Sequence, residues 1–166
     1  MKRFVLPVLL GIFAAVIGAS LMPSLPGPLA FIEPALILTA WYVVALRPGE
    51  AFAAALAAGI ARDALSSLPP GAHIAGYAAA TFVAYVLFTR VFTNHGWPGL
   101  LGLGTAAVVT RSAALTAVRF GDAMFSGLPA AAALPRTTPA EAFIGLAAHL
   151  VAMLVCFGLA TALEDR

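Results

Sequence analysis

The sequence predicts an all-α integral membrane protein, a single bundle of six transmembrane helices spanning residues 1–166. Three observations carry this expectation. Of the 166 residues, 62% are hydrophobic and only 10% are charged, whereas a soluble domain carries about 25% charged residues. The apolar residues fall into six stretches, and most approach the roughly 17–25 residues a spanning helix needs. The stretches are separated by short segments of Pro, Gly and charge, the residues that end helices.

The first stretch, Phe4–Met22, follows Met1-Lys2-Arg3. Its positive start resembles a signal peptide, but the apolar run exceeds an ordinary h-region. It reads as a retained first span that also directs insertion. Pro23–Pro28 holds three prolines and a glycine and cannot continue that helix. Glu33-Pro34 is a strong helix start, with Pro suited to the first turn and a carboxylate facing the positive end of the macrodipole. The second span, Pro34–Leu46, is short; either Leu29–Ile32 extends it or it crosses incompletely. Arg47–Glu50 reads as a tight polar turn. The third span is Ala51–Leu65, with Arg62 and Asp63 near its end. Ser66–Gly71 is a turn containing Pro69-Pro70. The fourth span is Ala72–Phe88, and Thr89–Pro98 is a short polar loop. The fifth is Gly99–Val118, with Arg111 well inside it. Arg119–Glu141 is the longest connection, in which Ala130–Leu134 forms a short interfacial helix. The sixth span, Ala142–Leu163, ends at Glu164-Asp165-Arg166.

Flanking Lys and Arg set orientation. With six crossings and an inside N-terminus, the cytoplasmic side carries Lys2, Arg3, Arg47, Arg90 and Arg166, against Arg119 and Arg136 outside. That five-to-two excess places both termini in the cytoplasm. No basic run exceeds Lys2-Arg3, so nothing points to nucleic acid. Small residues recur every fourth position: Gly11, Ala15 and Ala19; Ala51, Ala55 and Gly59; Ala72, Gly76, Ala80 and Ala84. Such stripes let backbones approach closely in lipid, and here they predict packing within the bundle.

An ionised side chain within a span is expensive and needs a partner or a job. Asp63 continues the Ala51-Ala55-Gly59 stripe, so it points toward a neighbouring helix. Arg62 is turned about 100° away and can snorkel to the headgroups. Three roles compete for Asp63: capping the Ser66–Gly71 turn, pairing with Arg111 or Arg62, or binding a transported solute or proton. Arg111 needs a carboxylate; Asp63 is the strongest candidate, with Glu33 and Asp122 behind it. His73, His95 and His149 read as packing or hydrogen-bonding residues, because no His or Cys pair has metal-ligand spacing. The single Cys156 reads as a small packing residue. Trp41-Tyr42 and Trp97 stand near span ends, where aromatic rings anchor the bilayer interface. No nucleophile elbow, His-Glu-x-x-His or phosphate-binding glycine loop occurs, so the sequence points away from an enzyme and from any cofactor.

Between Glu33 and Tyr85 the chain resembles the rod shape-determining MreD family. The shared features are a short second span opening with Pro34 and carrying Trp41-Tyr42, and then the Arg47-Pro48 turn. A Gly-x-x-x-Asp-x-Leu-Ser segment follows at Gly59, Asp63, Leu65 and Ser66. Gly71, His73 and the Ala84-Tyr85 pair complete the pattern. Beyond this third of the chain only length and hydropathy are shared. The resemblance implies a non-enzymatic scaffold in the bacterial inner membrane, part of the cell-wall elongation complex. It implies association with MreC, support of the RodA glycosyltransferase and its transpeptidase partner, and an indirect link to MreB filaments. It also implies a bundle like the membrane subunits of energy-coupling-factor transporters. A small-molecule-binding subunit of such a transporter is therefore the alternative reading. The residues on which either function would bear are Gly59, Arg62, Asp63, Ser66, Gly71, His73 and Arg111.

Overall fold

A computed structural model of the chain describes residues 2–92, 97–127 and 138–164. Among them are six α-helices and no strand: α1 Lys2–Ser20, α2 Pro34–Val44, α3 Pro48–Leu65, α4 Ala72–Arg90, α5 Trp97–Phe125 and α6 Pro139–Glu164. Two 3₁₀ turns, Met22–Ser24 and Gly27–Phe31, join α1 to α2. Four helical segments are long and apolar enough to cross a membrane: Arg3–Ser24, Ala72–Arg90, Pro98–Phe125 and Pro139–Leu159. The chain has the makings of a membrane protein on that ground. α2 has only 11 residues, and Gly27–Phe31 does not extend it. α3 carries Glu50, Arg62 and Asp63 within its 18 residues.

Several boundaries differ from the sequence expectation. Pro48–Glu50 is the first turn of α3 and not a loop, because Pro is favoured at the first helical position and the Glu50 and Ala51 N–H groups both donate to the Arg47 carbonyl. α4 runs on to Arg90. α5 is 29 residues long, about 43 Å, and takes in Arg119 and Asp122, which the sequence reading assigned to a loop. Its polar residues leave the backbone ladder intact, and hydropathy alone does not mark where a helix ends. The Ala130–Leu134 segment, His95, Arg136, Arg166 and the Trp97 side chain lie outside what the structure describes.

The small-residue stripes form the interior. Ala51, Ala55, Ala72, Ala80 and Ala84 are buried, as is Ala15 on α1. Large apolar side chains face outward: Leu9 and Phe13 on α1, Phe82 on α4, Val109 on α5, Phe143 and Val151 on α6. The interior is not made of small residues alone: Leu36, Tyr77, Leu103 and Met153 are buried with them. In water the outward-facing surface would be one continuous apolar patch, whereas in lipid it is the solvated face.

α2 touches all five other helices, and α3 packs against α1, α2 and α4. Gly11 of α1 lies so close to Ala54 that a side-chain carbon there would overlap its backbone. A Cβ on Gly59 would stand 2.5 Å from the Ile74 Cα of α4. Gly59→Ala is therefore expected to lower the thermal midpoint of the detergent-purified protein, since overpacking costs about 1–3 kcal/mol. Gly121→Ala, with nothing within 4 Å of its new methyl group, is expected to be neutral or to gain up to about 1 kcal/mol of helix propensity. Equal losses at both positions would refute the close crossing.

The two residues of the Trp41-Tyr42 pair are buried to different degrees, Trp41 only in part. Tyr42 is buried, and the Trp41 ring packs on Phe157 at 5.1 Å between centroids. Cys156 is exposed; it lines an apolar groove between α1, α2 and α6 and is not a core residue.

Candidate functional site

The charges inside the bundle gather on Glu33. It is the N-cap residue of α2, extended at φ −111° and ψ 90°, because Pro34 disfavours a helical conformation in the residue before it. Its carboxylate does not cap α2. Oε1 lies 3.0 Å from Nη2 of Arg111 on α5 and 3.4 Å from Nη2 of Arg62 on α3. Oε2 accepts a hydrogen bond from the Tyr77 hydroxyl of α4 at 2.9 Å. The Glu33 backbone N–H donates to Nδ1 of His149 on α6 at 3.3 Å. The Arg111 guanidinium lies 4.7 Å above the Tyr77 ring, a cation–π contact that strengthens where water is excluded. One acidic residue thus ties together α2, α3, α4, α5 and α6.

Depth explains why so many groups converge. Tyr77 and His149 are almost wholly buried, and Arg111 is 8% exposed. A guanidinium there without a carboxylate would be prohibitively costly. Gly76, beside Tyr77, packs against the Arg111 stem, and a Cβ there would sit 3.4 Å from Arg111 Cγ, at ordinary contact distance.

Asp63 does not join this cluster. The expected Asp63–Arg111 pair is replaced by Glu33–Arg111, and Arg62 pairs with Glu33 instead of reaching for headgroups. Asp63 accepts backbone N–H bonds from Gly71 at 2.9 Å, His73 at 2.8 Å and Ile74 at 3.4 Å. Gly71 is the N-cap of α4, at φ +89°, a left-handed conformation that suits glycine. It has no side chain with which to cap, so the last turn of α3 supplies the carboxylate. The donors at His73 and Ile74 are the orphan N–H groups a cap ordinarily satisfies, and a negative charge there also meets the positive end of α4. Ser66 accepts from the Leu68 N–H at 3.2 Å, tightening the same turn. The capping role is the one of the three competing readings that the geometry supports.

The structure therefore divides the candidate residues into two groups. Gly59, Asp63, Ser66, Gly71 and the His73 backbone build the α3–α4 hairpin. Arg62 and Arg111 belong to the Glu33 cluster with Tyr77 and His149. The sequence puts Glu33 behind Asp63 as the partner of Arg111 and does not point to Tyr77. A signal for Glu33 was present: it is the sole acidic residue among the first 49, and it directly precedes a span-opening proline.

A cavity of about 300 Å³ opens beside the cluster, lined by Glu33, Arg62, Arg111, Ser112 and His149, with Phe31 of the second 3₁₀ turn also in its wall. Among the described residues no group of three or more His, Cys, Asp or Glu side chains is placed to hold a metal ion. Comparison with protein-family models, curated proteins and solved structures returns no match for this chain.

Proposed function

We propose that the chain is a non-enzymatic scaffold of the bacterial cell-wall elongation complex, resident in the inner membrane and working with MreC. The observation that carries this reading is the use made of Asp63. It is the residue of the Gly59–His73 motif best suited to chemistry, and its carboxylate is engaged with three backbone N–H groups. The segment resembling the MreD family is thus a structural hairpin, as a scaffold requires. The proposed topology is six crossings with both termini cytoplasmic, in a bundle like the membrane subunits of energy-coupling-factor transporters. RodA, its transpeptidase partner and MreB filaments are the wider assembly implied.

Depletion is expected to make a rod-shaped host swell or round up, and the tagged protein is expected to co-purify with MreC. Reporter fusions after Pro26, Asn94 and Arg136 are expected to read outside, inside and outside. Normal shape on depletion, with no MreC recovered, would refute the scaffold. The polar cavity favours one other reading, a small-molecule-binding subunit of an energy-coupling-factor transporter. Loss of vitamin uptake with shape intact would select it.

A further inference from the structure

The cluster around Glu33 is unbalanced. Among the groups in ion-pair contact, Arg62 and Arg111 contribute two positive charges and Glu33 one negative charge, which leaves one positive charge over, while Asp63 beside Arg62 is held by the N–H groups of Gly71, His73 and Ile74. The cluster is also short of acceptors: Nε of Arg62 and Nε of Arg111 are both buried without a hydrogen-bond partner. Glu33 Oε1 already serves both guanidiniums and Oε2 serves Tyr77. Because Nδ1 of His149 accepts the Glu33 N–H, a neutral imidazole there carries its proton on Nε2 and presents a further donor. A buried, donor-rich site with surplus positive charge lacks an anion.

We propose that the cavity bounded by Glu33, Arg62, Arg111, Ser112 and His149 is an oxyanion site that takes one phosphate group. Its volume of about 300 Å³ is at the small end of ligand sites, yet about ten times the roughly 30 Å³ share of a water molecule. Planar guanidiniums suit phosphate oxygens, which accept two N–H groups at once. The phosphate comes either from a phospholipid headgroup or from a free anion. An apolar groove of about 470 Å³ beside Gly27–Phe31, lined by Leu29, Ile32, Phe143, Ile144 and Val151, gives a lipid acyl chain a place to lie. This inference stands on the cavity and is independent of the scaffold reading: the scaffold is judged by cell shape, the site by binding.

The test uses the full chain, purified in detergent and stripped of lipid. One arm measures the thermal midpoint in sodium phosphate against sodium chloride at matched ionic strength. The other counts lipids retained in native mass spectrometry, phosphatidylglycerol against a phosphate-free galactolipid. A rise in midpoint with phosphate assigns a free anion, and retention of one phosphatidylglycerol without such a rise assigns a headgroup. Either supports the site if Ala142→Phe abolishes it and Arg62→Gln weakens it at least tenfold. Ala142 is exposed, lines the cavity and forms no ion pair, so Ala142→Phe fills the space without disturbing the cluster and decides the matter should Arg62→Gln fail to fold. No binding of either ligand, or binding by Ala142→Phe equal to the unmodified chain, overturns the proposal.

Discussion

Glu33→Leu is expected to remove most of the folded protein from membranes, and Arg111→Leu to do nearly the same. Removing one member of a buried pair costs about 3–5 kcal/mol, because the other charge is left uncompensated, whereas removing both is often close to neutral. The Glu33–Arg111 contact is the shortest ion pair among the described residues, at 3.0 Å. The double variant is therefore expected to recover much of the folded yield, measured as monodisperse protein after detergent extraction. Recovery is incomplete for two reasons. Arg62 loses its partner, although its side chain is 18% exposed and can reach toward solvent. The Tyr77 hydroxyl loses its acceptor, at about 1–3 kcal/mol for a buried group. Arg111→Leu combined with Asp63→Ala is the contrasting cycle, and those two losses are expected to add. Coupling between Asp63 and Arg111, with none between Glu33 and Arg111, would overturn the arrangement described.

Much of the fold was legible in the sequence because hydropathy reports on helices directly. The six helices fall where the apolar stretches predict, and the buried stripes at Ala51-Ala55-Gly59 and Ala72–Ala84 follow from period alone. The ends of α3 and α5 were less legible. Polar residues such as Glu50 and Asp122 cost a helix little when they fall at its ends, so a polar run reads as a loop while the backbone stays helical. The site was half legible. Burial of a charge predicts that a partner exists, and it correctly set Asp63 and Arg111 apart. It does not predict which partner. Asp63 and Arg111 both lay on inward faces, but choosing between them needs the axial offset of α3, α4 and α5, which one sequence does not contain. The left-handed Gly71 shows the missing step. A glycine at the N-cap cannot cap itself, so the nearest upstream carboxylate was already committed to α4 and unavailable to Arg111.

The same logic sets the outcome for Asp63. Asp63→Ala is expected to cost at least the roughly 2 kcal/mol at the upper end of ordinary N-cap losses. The reasons are specific to this turn. Three donors, on Gly71, His73 and Ile74, lose one acceptor together, and bonds to a charged acceptor are worth about 1.5–3 kcal/mol each. Ser66 is already engaged with Leu68, and Gly71 has no side chain to substitute. Asp63→Asn keeps a single carbonyl oxygen and is expected to fall between the two. Hydrogen exchange should show the loss first at His73 and Ile74 and then along the first turn of α4, with the Glu33 cluster changed less. If the chain is the scaffold proposed above and Asp63 acts only as a cap, the ability of each variant to restore rod shape will track its folded amount. Asp63→Asn protein present at full folded yield but unable to restore shape would break that link. The carboxylate would then touch a partner or carry a proton, and the hairpin would be more than a structural hinge between α3 and α4.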